Sequence, residues 1–339
     1  MNFKGWVPTR VYWNQREPMV DWMYLGEERL RDPFFDDGVQ RKLESPFHCI
    51  FRRQTSMDAL RQWHETSPGL TPAGFVFHMS RCGSTLACAA LSALDGNLTL
   101  SEPWPLGVVL RAHLRFDGIT EQMRADWLLW IVSALGQRGS DANRLFIKFD
   151  SWGIAELPLI QKVFPNTPWI FLYREPIEVL VSQSVQPATW ATPGALHPAI
   201  VNIPQQEMLR MDQEEYCARA LGRLCEFALF HMNRSRGGML VNYAEMPAAI
   251  WSSIARHFGL ALDDQDVERM KQAARYNAKR PKLTFENDSA DKRGGATDHQ
   301  RELAARWIEP MYRRLEAARE RQAPADAVDS PTRFFSQPV

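Results

Sequence analysis

The chain has no run of eighteen apolar residues, so no transmembrane helix is expected. Its first residues, Met1-Asn2-Phe3-Lys4-Gly5-Trp6, lack the apolar core of a signal peptide, and secretion is not expected. Cysteine is scarce: the five, Cys49, Cys82, Cys88, Cys217 and Cys225, make an odd number with no C-x-x-C pair. That argues for reduced thiols in a cytoplasm, and the spacing that metal ligation requires is missing, so no metal is expected. An excess of either charge is lacking too. Lys+Arg and Asp+Glu number 40 each, so no global field draws the protein to nucleic acid or an anionic membrane, and any anion site must be local. The phosphate loop G-x-x-x-x-G-K-[ST] is absent.

What is present is an ordinary globular composition, 45% hydrophobic over 339 residues, enough for one large or two ordinary domains. From residue 74 to 258, strand and helix patterns alternate. Apolar strands are expected at 74–77, 98–103, 144–149, 169–173 and 239–243. Helices are expected after residue 85, at 121–136, from Pro158 to Phe164, after Pro176, at 214–233, from Pro247 to Phe258 and at 264–276, with a terminal helix at 300–321 interrupted near Pro310. Alternation of this kind predicts an α/β fold, a three-layer α/β/α arrangement around a central parallel sheet. Ligands of such sheets bind beyond the carboxyl ends of the strands. Residues 1–70 read as an N-terminal extension packed on the 71–321 domain, with short strands at 10–13 and 19–25, a helix start at Asp32-Pro33 and an N-cap at Thr55-Ser56. The Trp6, Trp13 and Trp22 cluster there reads as packing or, less simply, as part of a substrate wall. Residues 187–204, with four prolines, read as a loop over the site, 279–297 as a basic aperiodic segment, and 322–339 as a poorly ordered tail.

Two stretches carry chemistry. In Phe75-Val76-Phe77-His78-Met79-Ser80-Arg81-Cys82-Gly83-Ser84-Thr85-Leu86, a strand turns sharply into a helix. The free N–H groups of a helix N-terminus and its dipole favour an anion. Gly83 permits close approach, Ser84 and Thr85 offer hydroxyls, and Arg81 brings a permanent charge. The plain alternative is a βα turn whose Ser and Thr cap the helix. In Trp169-Ile170-Phe171-Leu172-Tyr173-Arg174-Glu175-Pro176, a second strand ends at an arginine, and Ser182 follows two helical turns on. A structural bridge from Arg174 to Glu175 or Glu178 is the competing reading.

The Arg81-Cys82-Gly83-Ser84-Thr85 loop resembles the 5′-phosphosulfate loop of the sulfotransferases that use 3′-phosphoadenosine 5′-phosphosulfate (PAPS), and R-x7-S from Arg174 to Ser182 resembles their 3′-phosphate element. The resemblance covers residues 74–307. It implies a P-loop-like sulfotransferase fold, PAPS as co-substrate with PAP as product, and a hydroxyl or amine acceptor on a small molecule, glycan or lipid. On it, Ser80, Arg81, Cys82, Gly83, Ser84 and Thr85 hold the 5′ side, Arg174 and Ser182 the 3′-phosphate, and Tyr243 lies near adenine. Arg81 then stabilises the departing nucleotide electrostatically, because guanidinium does not readily give up a proton. Glu102 is the implied base, with His113 as the other option. Lys148 reads as a substrate or nucleotide contact, or as an ion pair with Asp150 or Glu156. Lys292-Arg293-Gly294 resembles a phosphate clamp in altered order and reads more simply as a solvated loop. Two other function classes fit the same pattern: a P-loop kinase or NTPase, which requires a lysine and a Mg2+ carboxylate, and a non-catalytic nucleotide-binding protein.

Overall fold

The computed structural model describes residues 2–15, 17–28, 30, 32–137, 141–277, 280–284 and 288–322. The tail beyond Gln322 and part of the 279–297 segment lie outside the described residues.

Ten strands lie among the described residues, and eight of them organise the chain. β1 (Trp6–Asn14), β2 (Glu17–Tyr24) and β3 (Arg52–Ser56) form a small antiparallel sheet. β4 (Pro72–His78), β5 (Asn97–Ser101), β6 (Arg144–Lys148), β7 (Trp169–Tyr173) and β8 (Gly238–Asn242) form a parallel sheet in the order β5-β6-β4-β7-β8. The central strands read as continuous apolar runs because both faces are covered: Phe75, Val76, Phe77, Ile147, Trp169, Ile170 and Phe171 are all inaccessible to solvent. Each such side chain contributes about 1.5–3 kcal/mol of burial.

Right-handed crossovers place the helices. The chain moves one way from β4 to β5, so Ser84–Ser92 lies on one face, where it packs on Asp264–Ala274. It moves the other way from β5 to β6, β7 and β8, which puts Glu121–Leu135, Leu157–Val163 and Gln213–Met232 on the opposite face. The result is the expected α/β/α stack. Cys217 and Cys225 are buried in the last of these helices. No helix among the described residues is long and apolar enough to cross a membrane.

Several local expectations needed correction. β3, Arg-Arg-Gln-Thr-Ser, has no apolar alternation; it forms because it pairs along β2 as an edge strand, where charged side chains are tolerated. Ser56 precedes the Met57–Thr66 helix but makes no side-chain cap bond. Residues 187–204 contain two short turns of helix, Thr189–Ala191 and Pro198–Val201. The helix expected from Pro247 is two pieces, Ala248–Trp251 and Ser253–His257, broken where Ser252 adopts φ −121° and ψ −92°. The interruption before Pro310 is a widened turn, Ala304–Ile308, which accommodates a residue without an N–H. Within the basic segment, Ser289–Gly294 is helical and packs on the Pro176–Val185 helix.

Candidate functional site

The strand order reverses at β4. The chain leaves it for β5 on one side and later returns to β7 on the other, which opens a crevice beyond the strand ends. A cavity of ≈ 1310 Å³ lies there. Ser80, Arg81, Cys82, Gly83, Ser84, Thr85, Glu102, Lys148, Arg174, Ser182 and Tyr243 all line it, although they come from five different strand ends.

The loop after β4 is shaped by backbone. Ser80, Arg81 and Gly83 have φ of 76°, 51° and 82°. For the two non-glycine residues that conformation costs on the order of 1–3 kcal/mol each, and it persists because neighbours impose it. Gln183 donates to the Ser80 hydroxyl at 3.0 Å, and the Ser80 N–H donates to His78 Nδ1 at 3.0 Å. Gly83 is the N-cap of Ser84–Ser92 and supplies no side-chain acceptor, so Ser84 and Thr85 sit inside the first turn and do not cap it. The first helical N–H groups therefore receive no side-chain cap from the N-cap position. A Cβ on Gly83 would stand 3.1 Å from Tyr243, so both the positive φ and the close ring require glycine. Cys82 turns away: its thiol donates to the Leu172 carbonyl at 3.1 Å, and burial pushes it up to about 11. It contributes backbone only. The Arg81 guanidinium donates to the Gln186 carbonyl, has a buried Nε without a partner, and pairs with no carboxylate among the described residues.

Arg174, at the end of β7, is 3% exposed. Its Nη1 lies 3.4 Å from the Arg81 carbonyl, and its guanidinium stacks 3.9 Å from the Tyr243 ring centroid. The side chain therefore sits beside the first loop. It is also heavily paired: Nε donates to Glu178 at 2.6 Å, and Nη2 to Asp288 at 2.7 Å and Ser289 at 3.1 Å. The bridge to Glu178 is thus formed, whereas Glu175 takes no part in it. Lys292 is not solvated as expected. It lines the cavity and meets the other oxygen of Asp288 at 2.7 Å, which leaves that carboxylate between two cations. Ser182 lines the same cavity one element away.

On the other side of β4, Glu102 follows β5 with φ 52°. Its carboxylate pairs with Lys148, which is 1% exposed, and lies 3.2 Å from His78 Nε2. Burial would raise the Glu102 carboxyl, but the Lys148 charge and the His78 hydrogen bond outweigh it and hold the group below the ordinary carboxylate range. Lys148 thus pairs with neither Asp150 nor Glu156, which are taken by Arg111 and Arg124. His113 is exposed and does not line the cavity, although its neighbours Ala112 and Leu114 do.

The sequence reading missed three contributors. His78 is the last residue of β4, just past the 74–77 run, and nothing local marks its side chain as a cavity-lining group. The cavity's outer wall comes from the N-terminal segment: Trp13, already weighed as part of a substrate wall, is joined there by Arg10, Tyr12, Phe34, Asp36 and Asp37. Trp13 stacks on Phe116 at 4.0 Å, and Lys148 lies 4.8 Å from the Phe34 ring centroid. Asp36 is the third: burial pushes its carboxyl up to about 6, and the charges of Asp37 and Glu102 add to the rise. Among the described residues, no group of three His, Cys, Asp or Glu side chains is arranged to hold a metal ion.

No protein-family model matches the chain, and no curated protein sequence matches it. Solved structures resemble it. Sulfotransferase STF9 from Mycobacterium avium is 14% identical, with 75% of this chain and 81% of that one covered and a TM-score of 0.46. The sulfotransferase domain of the Synechococcus PCC 7002 olefin synthase is 17% identical, covering 78% and 97%, TM-score 0.43. Mouse sulfotransferase SULT7A1, complexed with PAP, is 12% identical, covering 79% and 96%, TM-score 0.44. Likeness this loose does not bear on function.

Proposed function

We propose that the protein transfers a sulfuryl group from PAPS to a hydroxyl or amine of a small-molecule, glycan or lipid acceptor. The observation that carries this reading is the convergence of two anion-binding elements, the 80–85 loop and the Arg174–Ser182 element, on one cavity. The fit rests on a helix N-terminus whose N-cap, Gly83, offers no side-chain acceptor, a buried Arg81 Nε without a partner and a glycine cradle at Gly83.

PAPS supplies an activated sulfuryl group and a phosphate leaving group. The helix N-terminus at Ser84 and Thr85 binds the 5′-phosphate. Arg81 stabilises charge on the bridging oxygen as the bond breaks, and Arg174 with Ser182 grips the 3′-phosphate. Tyr243 holds the Arg174 guanidinium plane. Glu102 takes the acceptor's proton. Its low basicity suits a late transfer: bond formation to sulfur acidifies the acceptor hydroxyl sharply, so a weak carboxylate base suffices. Lys148 orients Glu102 and offsets its charge. Tyr12, Trp13, Phe34, Asp36 and Asp37 line the cavity from the N-terminal segment and would border the acceptor.

Calorimetry with PAP, followed by an acceptor screen with labelled PAPS, tests the reading. PAP binding and turnover in the wild type, with Glu102→Gln binding PAP normally but losing transfer by roughly 10²–10⁴-fold, is the expected result. Full activity in Glu102→Gln would remove it as the base. Absence of PAP binding, with Mg2+-dependent ATP hydrolysis instead, would replace the reading by an NTPase.

A further inference from the structure

His78 stands at the end of the central strand, 4% exposed, between the two halves of the site. The Ser80 N–H donates to its Nδ1 at 3.0 Å, with the Ser151 hydroxyl 3.5 Å away on the same nitrogen. A nitrogen that accepts a backbone N–H carries no proton, so the proton resides on Nε2. That nitrogen lies 3.2 Å from Glu102 Oε1, within reach of its carboxylate. Ser80 and Glu102 are both held at positive φ, the conformations most in need of an external tether. One rigid ring thus connects the first peptide of the nucleotide loop to the carboxylate on the acceptor side.

We infer that His78 is a positioning residue that fixes, through its two ring nitrogens, both the Ser80 peptide and the Glu102 carboxylate. Their roles in nucleotide binding and proton transfer rest on the sulfuryl-transfer reading above; the tether itself does not. The imidazole sets the distance between the two halves because both contacts run from one planar group at the end of the central strand of the sheet.

Two substitutions separate the nitrogens. His78→Asn keeps an acceptor near the Nδ1 position and loses the donor to Glu102; His78→Gln reaches Glu102 with its amide and loses the acceptor for Ser80. For His78→Asn the expected result is a kcat lowered on the order of 10-fold or more, with PAP affinity held within about two-fold. For His78→Gln it is PAP affinity weakened roughly 3–10-fold, with kcat at saturation held within about two-fold. Two readouts need no turnover: amide hydrogen exchange at Ser80 quickens in His78→Gln only, and the carboxyl 13C shift of Glu102 moves in His78→Asn only. Equal effects of both variants on all readouts, or no effect of either, overturns the inference. If the wild type neither binds PAP nor turns over, the sulfuryl-transfer reading falls, and the exchange and shift measurements still decide the role of His78.

Discussion

The two elements that would grip the nucleotide are built in opposite ways. The 80–85 loop is made of backbone: positive φ at Ser80, Arg81 and Gly83, uncapped helical N–H groups, and a guanidinium bonded to a neutral carbonyl. The Arg174 element is made of side chains, and its charge is already answered by Glu178 and Asp288. The first is preorganised and electrostatically open. The second is preorganised and electrostatically closed, so an incoming phosphate must compete with carboxylates for the same N–H groups. Geometry alone would rank the sites alike; charge accounting separates them.

The sharpest way to break this comparison is Arg174→Ala. It removes two charge-assisted contacts to phosphate, and PAP affinity should fall by roughly 10²–10³-fold in calorimetry. It also leaves the buried Glu178 without its main partner, so thermal unfolding should show a loss of about 3 kcal/mol. Affinity unchanged within error would take Arg174 out of the site. Gly83→Ala attacks the other element. Strain at φ 82° and contact with Tyr243 should weaken PAP by roughly 10–100-fold while Arg174 keeps its partners. A variant that binds like wild type would show that the loop's shape is not needed.

Asp288→Ala sharpens the contrast by its sign. If the carboxylate competes with phosphate for Arg174 and Lys292, its removal tightens PAP by up to about 10-fold. Weaker binding would mean that Asp288 serves to orient the arginine instead. The smallest effect concerns pH. A base must be ionised, and the Glu102 carboxyl lies below its usual range, so it stays ionised as pH falls. The kcat should then change by less than about two-fold between pH 7 and pH 5. An acid limb with its midpoint near pH 6 would move the base role to Asp36, whose carboxyl is pushed up to about 6.

The sheet was legible because each strand is a short apolar run bounded by Gly, Pro or charge, and alternation with helices leaves few topologies. The Phe75 to Phe77 and Trp169 to Tyr173 runs are placed within a residue or two of where they form. The two candidate anion loops stood out in the sequence for a related reason: their residues are contiguous. Glu102 was placed in the crevice by its position after a strand, but its partner was not foreseen. Lys148 precedes Asp150 by two residues, yet β5 and β6 run in register with Ser101 opposite Lys148, so Glu102 is nearer in space. His78, one residue past the expected 74–77 strand, was given no role, since nothing local reveals that its ring ends among polar groups.

Sequence by itself determined the alternating elements, the glycine at the turn of the loop and the charge each strand end carries, because these depend on residues within a few positions of one another. Tertiary structure decided which charges meet. The pairing of Arg174 with Asp288, of Glu102 with Lys148 and His78, and the enclosure of the cavity by Tyr12, Trp13 and Phe34 join segments far apart in sequence. Coulombic and hydrogen-bond energies depend on separations of a few ångströms, and only the folded sheet sets those.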